Sequence, residues 1–256
     1  MTTRAYPPLP RMARPAPGIS HTGTFVKTAS APVVEILALS GLDFLVIDAE
    51  HAPFDRGDID LMLLASRACG IPVVVRVPDA DASTILSMLD LGAAGLVVPH
   101  VDSVEQARRV VASARYRGGT RGFSSSPRSS GYGSSSMKNA LSAGDGAIVL
   151  CQIESADAVE AAAAIAAVDG VDALFIGRAD LALSMGYDST AVKAVEEAVD
   201  HVIAVTRAAG KTVAMAVGNM ADMARYQARG ADWFVVSTDQ GLLRDAAIGM
   251  FGERHA

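Results

Sequence analysis

The sequence predicts an α/β protein folded as a single (β/α)8 barrel, and three observations support this prediction. Eight short apolar segments alternate with helical patterns at regular spacing along the chain. Some of these segments, such as residues 44–47, are apolar without interruption, which is typical of strands buried on both faces of a parallel sheet. The length of 256 residues fits one such barrel. An open doubly wound sheet is the alternative, but no glycine fingerprint follows the first strand.

The first half of the chain contains four predicted strands, each followed by a predicted helix. The strands are expected at residues 22–28, 44–47, 71–77 and 95–99, and the helices at 30–39, 58–69, 81–91 and 102–116. Pro32 lies early in the first helix, where its missing N–H is not needed. Gly70 and Gly92 follow the ends of the second and third helices. Asp102 and Glu105 have capping-box spacing, with Asp102 at the cap of the fourth helix.

The second half begins with a long irregular segment, residues 117–146, which is rich in serine and glycine. A loop of this length in a compact domain is usually functional or disordered. Further strands are expected at 147–153, 171–176, 212–216 and 233–237, and helices at 156–167, 190–209, 220–229 and 242–251. We interpret residues 1–17 as a mobile or surface-packed leader and residues 18–256 as one barrel domain.

The composition argues against a nucleic-acid-binding protein and against a membrane-spanning one. The formal net charge of -6 argues against a nucleic-acid partner. No apolar run is long enough to span a membrane. Cys69 and Cys151 both lie in apolar contexts and are expected to be reduced core thiols of a cytoplasmic protein. Small molecules are therefore the expected partners.

Polar residues at predicted strand ends mark the candidate site, because the carboxyl ends of barrel strands share one face. Glu154 and Asp180 each follow a buried strand, and two carboxylates on adjacent strand ends suit a hard divalent cation. Both could instead cap the helices that follow. The same rim is expected to carry Asp48, His51, Arg76 and Gln152.

Arg76 and His51 each allow two readings. Arg76 lies in a valine-rich strand, so it needs a charged partner or a ligand, and a buried salt bridge is as open as a substrate contact. A lone histidine after a strand is most often a structural hydrogen bonder, but His51 shares its rim with a cation and two carboxylates. Gln152 could simply bond the backbone.

Five stretches together resemble the HpcH/HpaI aldolase family, class II pyruvate aldolases of the phosphoenolpyruvate/pyruvate barrel superfamily. They are Asp48-Ala-Glu-His51-Ala-Pro, Arg76 in its valine strand, Leu89-Asp90-Leu-Gly92-Ala, Gln152-Ile-Glu154-Ser and Phe175-Ile-Gly177-Arg-Ala179-Asp180-Leu. The resemblance runs from about residue 19 to residue 251. It implies a divalent-metal-dependent aldolase that makes or cleaves a C–C bond between pyruvate, or a close 2-oxoacid, and an aldehyde through a metal-stabilised enolate.

The resemblance also implies roles for individual residues. Glu154 and Asp180 would hold the metal, Mg2+, Mn2+ or Co2+, and Gln152 would contact the substrate. The backbone N–H groups of Ala179 and Asp180 would bind the pyruvate carboxylate. The remaining roles are catalytic: Arg76 would stabilise the enolate oxygen, and His51 would be the general base with Asp90 raising its basicity.

One position departs from the family, which usually has proline where this chain has Arg178. Its long side chain is expected to reach the mouth of the site and tune the aldehyde acceptor. Of the lysines, Lys27 alone could reach the catalytic rim for Schiff-base chemistry, and the two carboxylates favour a metal enolate instead.

Three other activities stay open on the sequence. They are a CoA-ester lyase of the citrate-lyase β-subunit type, decarboxylation of oxaloacetate through the same enolate, and a non-catalytic barrel that binds 2-oxoacids. The resemblance further implies a homo-oligomer, often hexameric as a trimer of dimers, with the last helix packed on a neighbour.

Overall fold

The computed structural model describes residues 20–252 and shows a closed barrel of eight parallel strands in sequential order. The strands are β1 (His21–Val26), β2 (Phe44–Asp48), β3 (Val73–Arg76), β4 (Gly95–Val98), β5 (Ile148–Ile153), β6 (Ala173–Ile176), β7 (Thr212–Val217) and β8 (Trp233–Thr238). Strand β1 pairs with both β2 and β8, so the sheet has no free edge. The predicted barrel is confirmed and the open sheet is wrong. The proposed leader, residues 1–17, lies outside the described residues.

Helices cover the outside of the barrel. They are α1 (Ala31–Ala38), α2 (Arg56–Cys69), α3 (Ala82–Leu91), α4 (Val104–Ala114), α5 (Met137–Gly144), α6 (Ala156–Ala166), α7 (Arg178–Ser184), α8 (Lys193–Ala208), α9 (Met220–Arg229) and α10 (Asp239–Phe251). The predicted cap of α4 is wrong by one residue. The hydroxyl of Ser103 accepts the N–H of Gln106, while Asp102 accepts a hydrogen bond from Ser155 at 2.5 Å. Asp102 thus ties the start of α4 to the start of α6.

The serine-rich segment is more ordered than its composition predicts. It contains a 3-10 helix (Arg128–Gly133) and α5. Arg128 donates to the backbone oxygen of Leu91 at 2.8 Å, and Arg121 pairs with Asp90 at 2.8 Å. Both arginines are buried. These long-range contacts hold the segment on the barrel, and no local pattern in the sequence reveals them.

The barrel interior is packed with side chains. Large apolar residues from several strands fill it, including Phe25, Phe44, Phe175 and Trp233. A second apolar layer lies between the strands and the helices. A filled interior leaves no channel through the barrel, so a binding site must lie at a rim.

Two expectations from composition can be compared with the structure. Cys151 is a buried free thiol as expected, but Cys69 is exposed at the end of α2, so its placement in the core is wrong. Within residues 20–252, none of the helices has the length and apolar character that crossing a bilayer requires.

Candidate active site

A buried ion cluster lies where β1, β2 and β3 end. Arg76 binds the fully buried Asp48 in a bidentate pair, with Nε at 2.9 Å from Oδ1 and Nη2 at 2.8 Å from Oδ2. Lys27 Nζ lies 2.6 Å from Asp48 Oδ2. The guanidinium carbon of Arg76 stands 4.6 Å from the centre of the Phe25 ring. The salt bridge considered for Arg76 is therefore present, and it holds the guanidinium at the rim.

Asp48 is expected to make the free energy of unfolding decrease as the pH falls into the acid range. Burial raises its pKa, but hydrogen bonds and charge from Arg76 and Lys27 outweigh burial and lower the pKa from 3.8 to about 2. The ionised native carboxylate thus stabilises the fold above about pH 4, and this stabilisation, about 2 kcal/mol, is lost as pH falls to about 2. We expect Asp48→Asn to unfold more readily in urea at pH 7, with a smaller further loss between pH 5 and pH 3 than wild type. Equal acid losses in both proteins would contradict this assignment.

The end of β1 is also held by the last helix. Asp239, the first residue of α10, accepts the backbone N–H groups of Lys27 at 2.9 Å and of Thr28 at 3.1 Å. Asp239 is itself buried. The position of Lys27 is therefore fixed from both sides, by Asp48 and by α10.

Three potential metal ligands converge beside the ion cluster. Glu50, His100 and Glu154 each offer one ligand atom, and these atoms lie within 4.8 Å of one another. His100 Nδ1 is 3.0 Å from Glu154 Oε1, and Arg76 Nε is 3.2 Å from Glu50 Oε2. Sequence reasoning predicted Glu154 here but missed Glu50 and His100. They lie two residues beyond the ends of β2 and β4, so the strand-end rule could have found them.

The surroundings of this group fit a divalent cation. Burial raises the pKa of Glu50, the nearby Glu154 carboxylate raises it further, and Arg76, His51 and His100 oppose the rise. A cation between the carboxylates would relieve that repulsion. Within the described chain, the buried side-chain oxygen of Gln152 has no hydrogen-bond partner, while its nitrogen donates to Glu154.

Gly177 allows the backbone to approach this group closely. A Cβ at this position would lie 3.0 Å from both Cβ and Oε2 of Glu154. Helix α7 begins at the next residue, which places Ala179 and Asp180 in its first turn. Asp180 is partly buried and does not belong to the three-residue group. The Glu154 and Asp180 pair that the sequence predicts as metal ligands therefore stays a prediction, beside the group formed by Glu50, His100 and Glu154.

His51 and Asp90 face different partners in this chain. The imidazole of His51 is 53% exposed, and its Nε2 lies 3.7 Å from Glu50 Oε2. The backbone N–H of His51 donates to Asp48. Asp90, on α3, accepts Arg121 Nη2 at 2.8 Å. Among the described residues, no ion pair joins His51 to Asp90, so the expected dyad does not form within this chain.

Arg178 does not reach the mouth of the site, so that expectation is wrong. Its Nη1 donates to the hydroxyl of Tyr226 at 2.8 Å, and its Nη2 donates to the backbone oxygen of Ala216 at 3.4 Å. Tyr226 is fully buried. The favourable contact of a guanidinium with an aromatic face, 4.7 Å from the ring centre, draws the side chain toward α9.

Sequence comparisons agree with this architecture. The HpcH/HpaI aldolase/citrate lyase family matches residues 21–246. A 5-keto-4-deoxy-D-glucarate aldolase from Klebsiella pneumoniae is 38% identical over 232 residues, which is 88% of each chain. The aldolase of the same name from Salmonella arizonae is 38% identical over 230 residues, 87% of each chain.

Solved structures show the same fold. A HpcH/HpaI aldolase/citrate lyase family protein from Burkholderia cenocepacia J2315 superposes with a TM-score of 0.88 at 32% identity, covering 93% of this chain and 96% of that one. The citrate synthase SbnG gives a TM-score of 0.83 at 29% identity, covering 93% and 94%. The predicted enzyme class, a carbon–carbon lyase of the metal-dependent class II aldolase type, is confirmed, which removes the non-catalytic reading. With a match that spans almost all of its described residues, the chain belongs to the HpcH/HpaI aldolase/citrate lyase family.

Proposed function

We propose that this aldolase joins pyruvate, or a close 2-oxoacid, to an aldehyde, or cleaves the corresponding product, through an enolate. The observation that carries the proposal is the pairing of a cation site with a fixed guanidinium. Glu50, His100 and Glu154 converge at the rim, and Arg76 lies 3.2 Å from Glu50. An enolate needs positive charge held close to its oxygen, and this corner of the barrel supplies it.

Glu154 would be the central metal ligand. Glu50 and His100 are its partners in this chain's geometry, whereas Asp180 is the partner implied by the family resemblance. A bound Mg2+, Mn2+ or Co2+ would polarise the keto oxygen of the 2-oxoacid and lower the energy of the negative charge that develops there. Gln152, buried next to Glu154, would orient the substrate through its amide.

Arg76 would stabilise the enolate oxygen without having to move. Its Nε and Nη2 each donate to Asp48, and the Phe25 ring supports the guanidinium, which leaves the Nη1 N–H groups as the donors for the enolate oxygen. Preorganised donors of this kind need no rearrangement when charge develops. Asp48 thus acts as a positioning residue for Arg76.

His51 would remove a proton from C3 of the 2-oxoacid and, once the new C–C bond forms, a proton would pass from it to the former aldehyde oxygen, which becomes the hydroxyl; in cleavage the two transfers run in reverse. Its imidazole is exposed at the rim, while its backbone N–H is fixed by Asp48. His51 would act without Asp90, because Arg121 pairs with Asp90 in this chain. The N–H groups of Ala179 and Asp180, in the first turn of α7, would bind the substrate carboxylate.

Two assays test the proposal. Deuterium exchange at C3 of pyruvate measures enolate formation alone, and a panel of aldehydes offered with pyruvate measures C–C bond formation. We expect both activities, and we expect EDTA to remove both. Turnover of citramalyl-CoA or malyl-CoA without pyruvate exchange would favour the CoA-ester lyase instead.

Lys27 is expected not to form a Schiff base. Its Nζ is paired with Asp48 at 2.6 Å, and a protonated, ion-paired amine is a poor nucleophile. Borohydride added with pyruvate should therefore trap no adduct by mass spectrometry. Lys27→Ala should retain pyruvate C3 exchange within about tenfold of wild type, because Arg76 keeps its bidentate bond to Asp48. A borohydride-stable adduct on Lys27 would contradict the enolate mechanism.

The last helix supports a homo-oligomer, which we include in the proposal. Helix α10 exposes a large share of its apolar side chains, among them Leu242, Leu243, Ile248, Met250 and Phe251. Apolar surface of this extent is typical of an interface. A second copy of this chain, packed on α10 as the resemblance implies, would cover it. Analytical ultracentrifugation of the full chain tests this assembly.

A further inference from the structure

Arg178 connects the catalytic rim to a buried network on the outside of the barrel. It is the first residue of α7 and directly follows Gly177, whose backbone lies against Glu154. Its guanidinium leads away from the rim, to the hydroxyl of Tyr226 and the backbone oxygen of Ala216. One residue therefore contacts the outer network while its neighbour lines the site.

The anchor that receives Arg178 is itself held firmly. Tyr226 is fully buried and its hydroxyl donates to Glu196 Oε1 at 2.7 Å. Arg225 and Arg229 each lie 2.5 Å from Glu196 Oε2. Burial raises the pKa of Glu196, but hydrogen bonds from Tyr226, Arg229 and Arg225 outweigh it and lower the pKa to about 2. The Tyr226 hydroxyl thus has a permanent acceptor and presents its lone pair to Arg178.

Helix α7 has little of its own to fix its position. It has seven residues, and no side chain caps its first turn. So short a helix depends on tertiary contacts for its stability. On one side Gly177 leaves little room for a side chain beside Glu154, since a Cβ there would lie 3.0 Å from it, and on the other Arg178 provides hydrogen bonds to Tyr226 and Ala216. A shift of α7 would move the wall of the site that Glu154 and Gln152 lie against.

We propose that Arg178 is a positioning residue that sets the metal-binding and 2-oxoacid-binding half of the site by holding the start of α7 on Tyr226. Arg178 does not touch the substrate. Its role in 2-oxoacid binding rests on the proposed function, but its effect on metal binding can be measured without turnover. A wrong substrate assignment can therefore be distinguished from a wrong role for Arg178.

The test compares Arg178→Ala with Arg225→Ala in the full-length protein. Arg225 is a matched control, because its guanidinium lies 4.8 Å from the centre of the same Tyr226 ring and binds the same Glu196, yet it belongs to α9. Mn2+ affinity is measured by electron paramagnetic resonance of the free ion, without substrate. The KM for pyruvate, kcat and Tm are then measured for each variant.

We expect Arg178→Ala to weaken Mn2+ binding and raise the KM for pyruvate, each by about tenfold, as the loss of a charged hydrogen bond would predict. Arg225→Ala should change both by less than about twofold at a similar or smaller loss of Tm. Arg178→Lys should recover part of the effect, because an ammonium can still donate to Tyr226. If Arg178→Ala does not fold, Arg178→Lys takes its place, with a smaller change expected in the same two measurements.

Two results would overturn the inference. One is unchanged Mn2+ affinity and pyruvate KM in a folded Arg178 variant. The other is an equal change in the Arg178 and Arg225 variants that follows the loss of Tm, since a purely structural role would affect both alike. If the wild type turns over no aldehyde, the proposed substrate fails, but the Mn2+ comparison still decides the role of Arg178.

Discussion

Glu154→Gln is expected to abolish metal-dependent aldol turnover and to weaken Mn2+ binding strongly. The carboxylate is nearly fully buried, lies among Glu50, His100 and Gln152, and is the residue shared by both proposed ligand sets. Glutamine keeps the shape but loses the negative charge that a hard cation needs. Pyruvate C3 exchange and Mn2+ affinity measure the two effects. EDTA should lower wild-type exchange to the level of the variant, and added Mg2+, Mn2+ or Co2+ should restore it in wild type.

Glu160→Gln is the control for this experiment. Glu160 is exposed on α6, the helix that follows Glu154, and the same substitution there should leave exchange and metal affinity unchanged. Exchange that survives both EDTA and Glu154→Gln would mean that pyruvate is activated without a metal. The cation role of this rim would then be wrong.

His51→Ala is expected to lower pyruvate C3 exchange by about 100- to 10,000-fold, the range in which loss of a general base usually falls. Metal binding should persist, because His51 lies outside the three-residue ligand group. Exchange is followed by nuclear magnetic resonance, and metal binding by the resonance of free Mn2+. His201→Ala, an exposed histidine on α8, is the matched control and should behave as wild type.

His100 is the alternative candidate for the general base, because its imidazole lies at the same rim. His100 also contacts Glu50 and Glu154, at 3.6 and 3.0 Å, and its side chain is 69% exposed. Wild-type exchange in His51→Ala combined with a large loss in His100→Ala would move the base to His100. A large loss of Mn2+ affinity in His100→Ala, with exchange restored at high Mn2+ concentration, would instead keep His100 as a ligand.

The barrel could be predicted from the sequence because its signal is local. Unbroken apolar runs mark strands buried on both faces, and their spacing fixes the order of strands and helices. The strand-end rule likewise placed Arg76 and Glu154 at one rim, and both lie there. The same rule applies to Glu50 and His100, which lie two residues beyond β2 and β4 and were not predicted.

The hydrogen-bond partners of the arginines could not be predicted, because these long side chains contact residues far away in the sequence. Arg121 reaches Asp90 from 31 residues away, and Arg178 reaches Tyr226 from 48 residues away. Neither pairing leaves a periodic trace in the sequence. Those two contacts explain why the expected dyad of His51 with Asp90 and the expected reach of Arg178 both differ from the structure.

The Phe25 ring forms the boundary between the packed interior and the reactive surface. Below it the ring packs edge-on against Phe175 at 6.5 Å, and above it the ring supports Arg76. The floor of the site is therefore part of the hydrophobic core, while the walls come from strand ends and α7. Substitutions that make room for a bulkier aldehyde should therefore alter the walls and leave Phe25 intact. A smaller residue at position 25 would open a cavity in the core and would also remove the support of the Arg76 guanidinium.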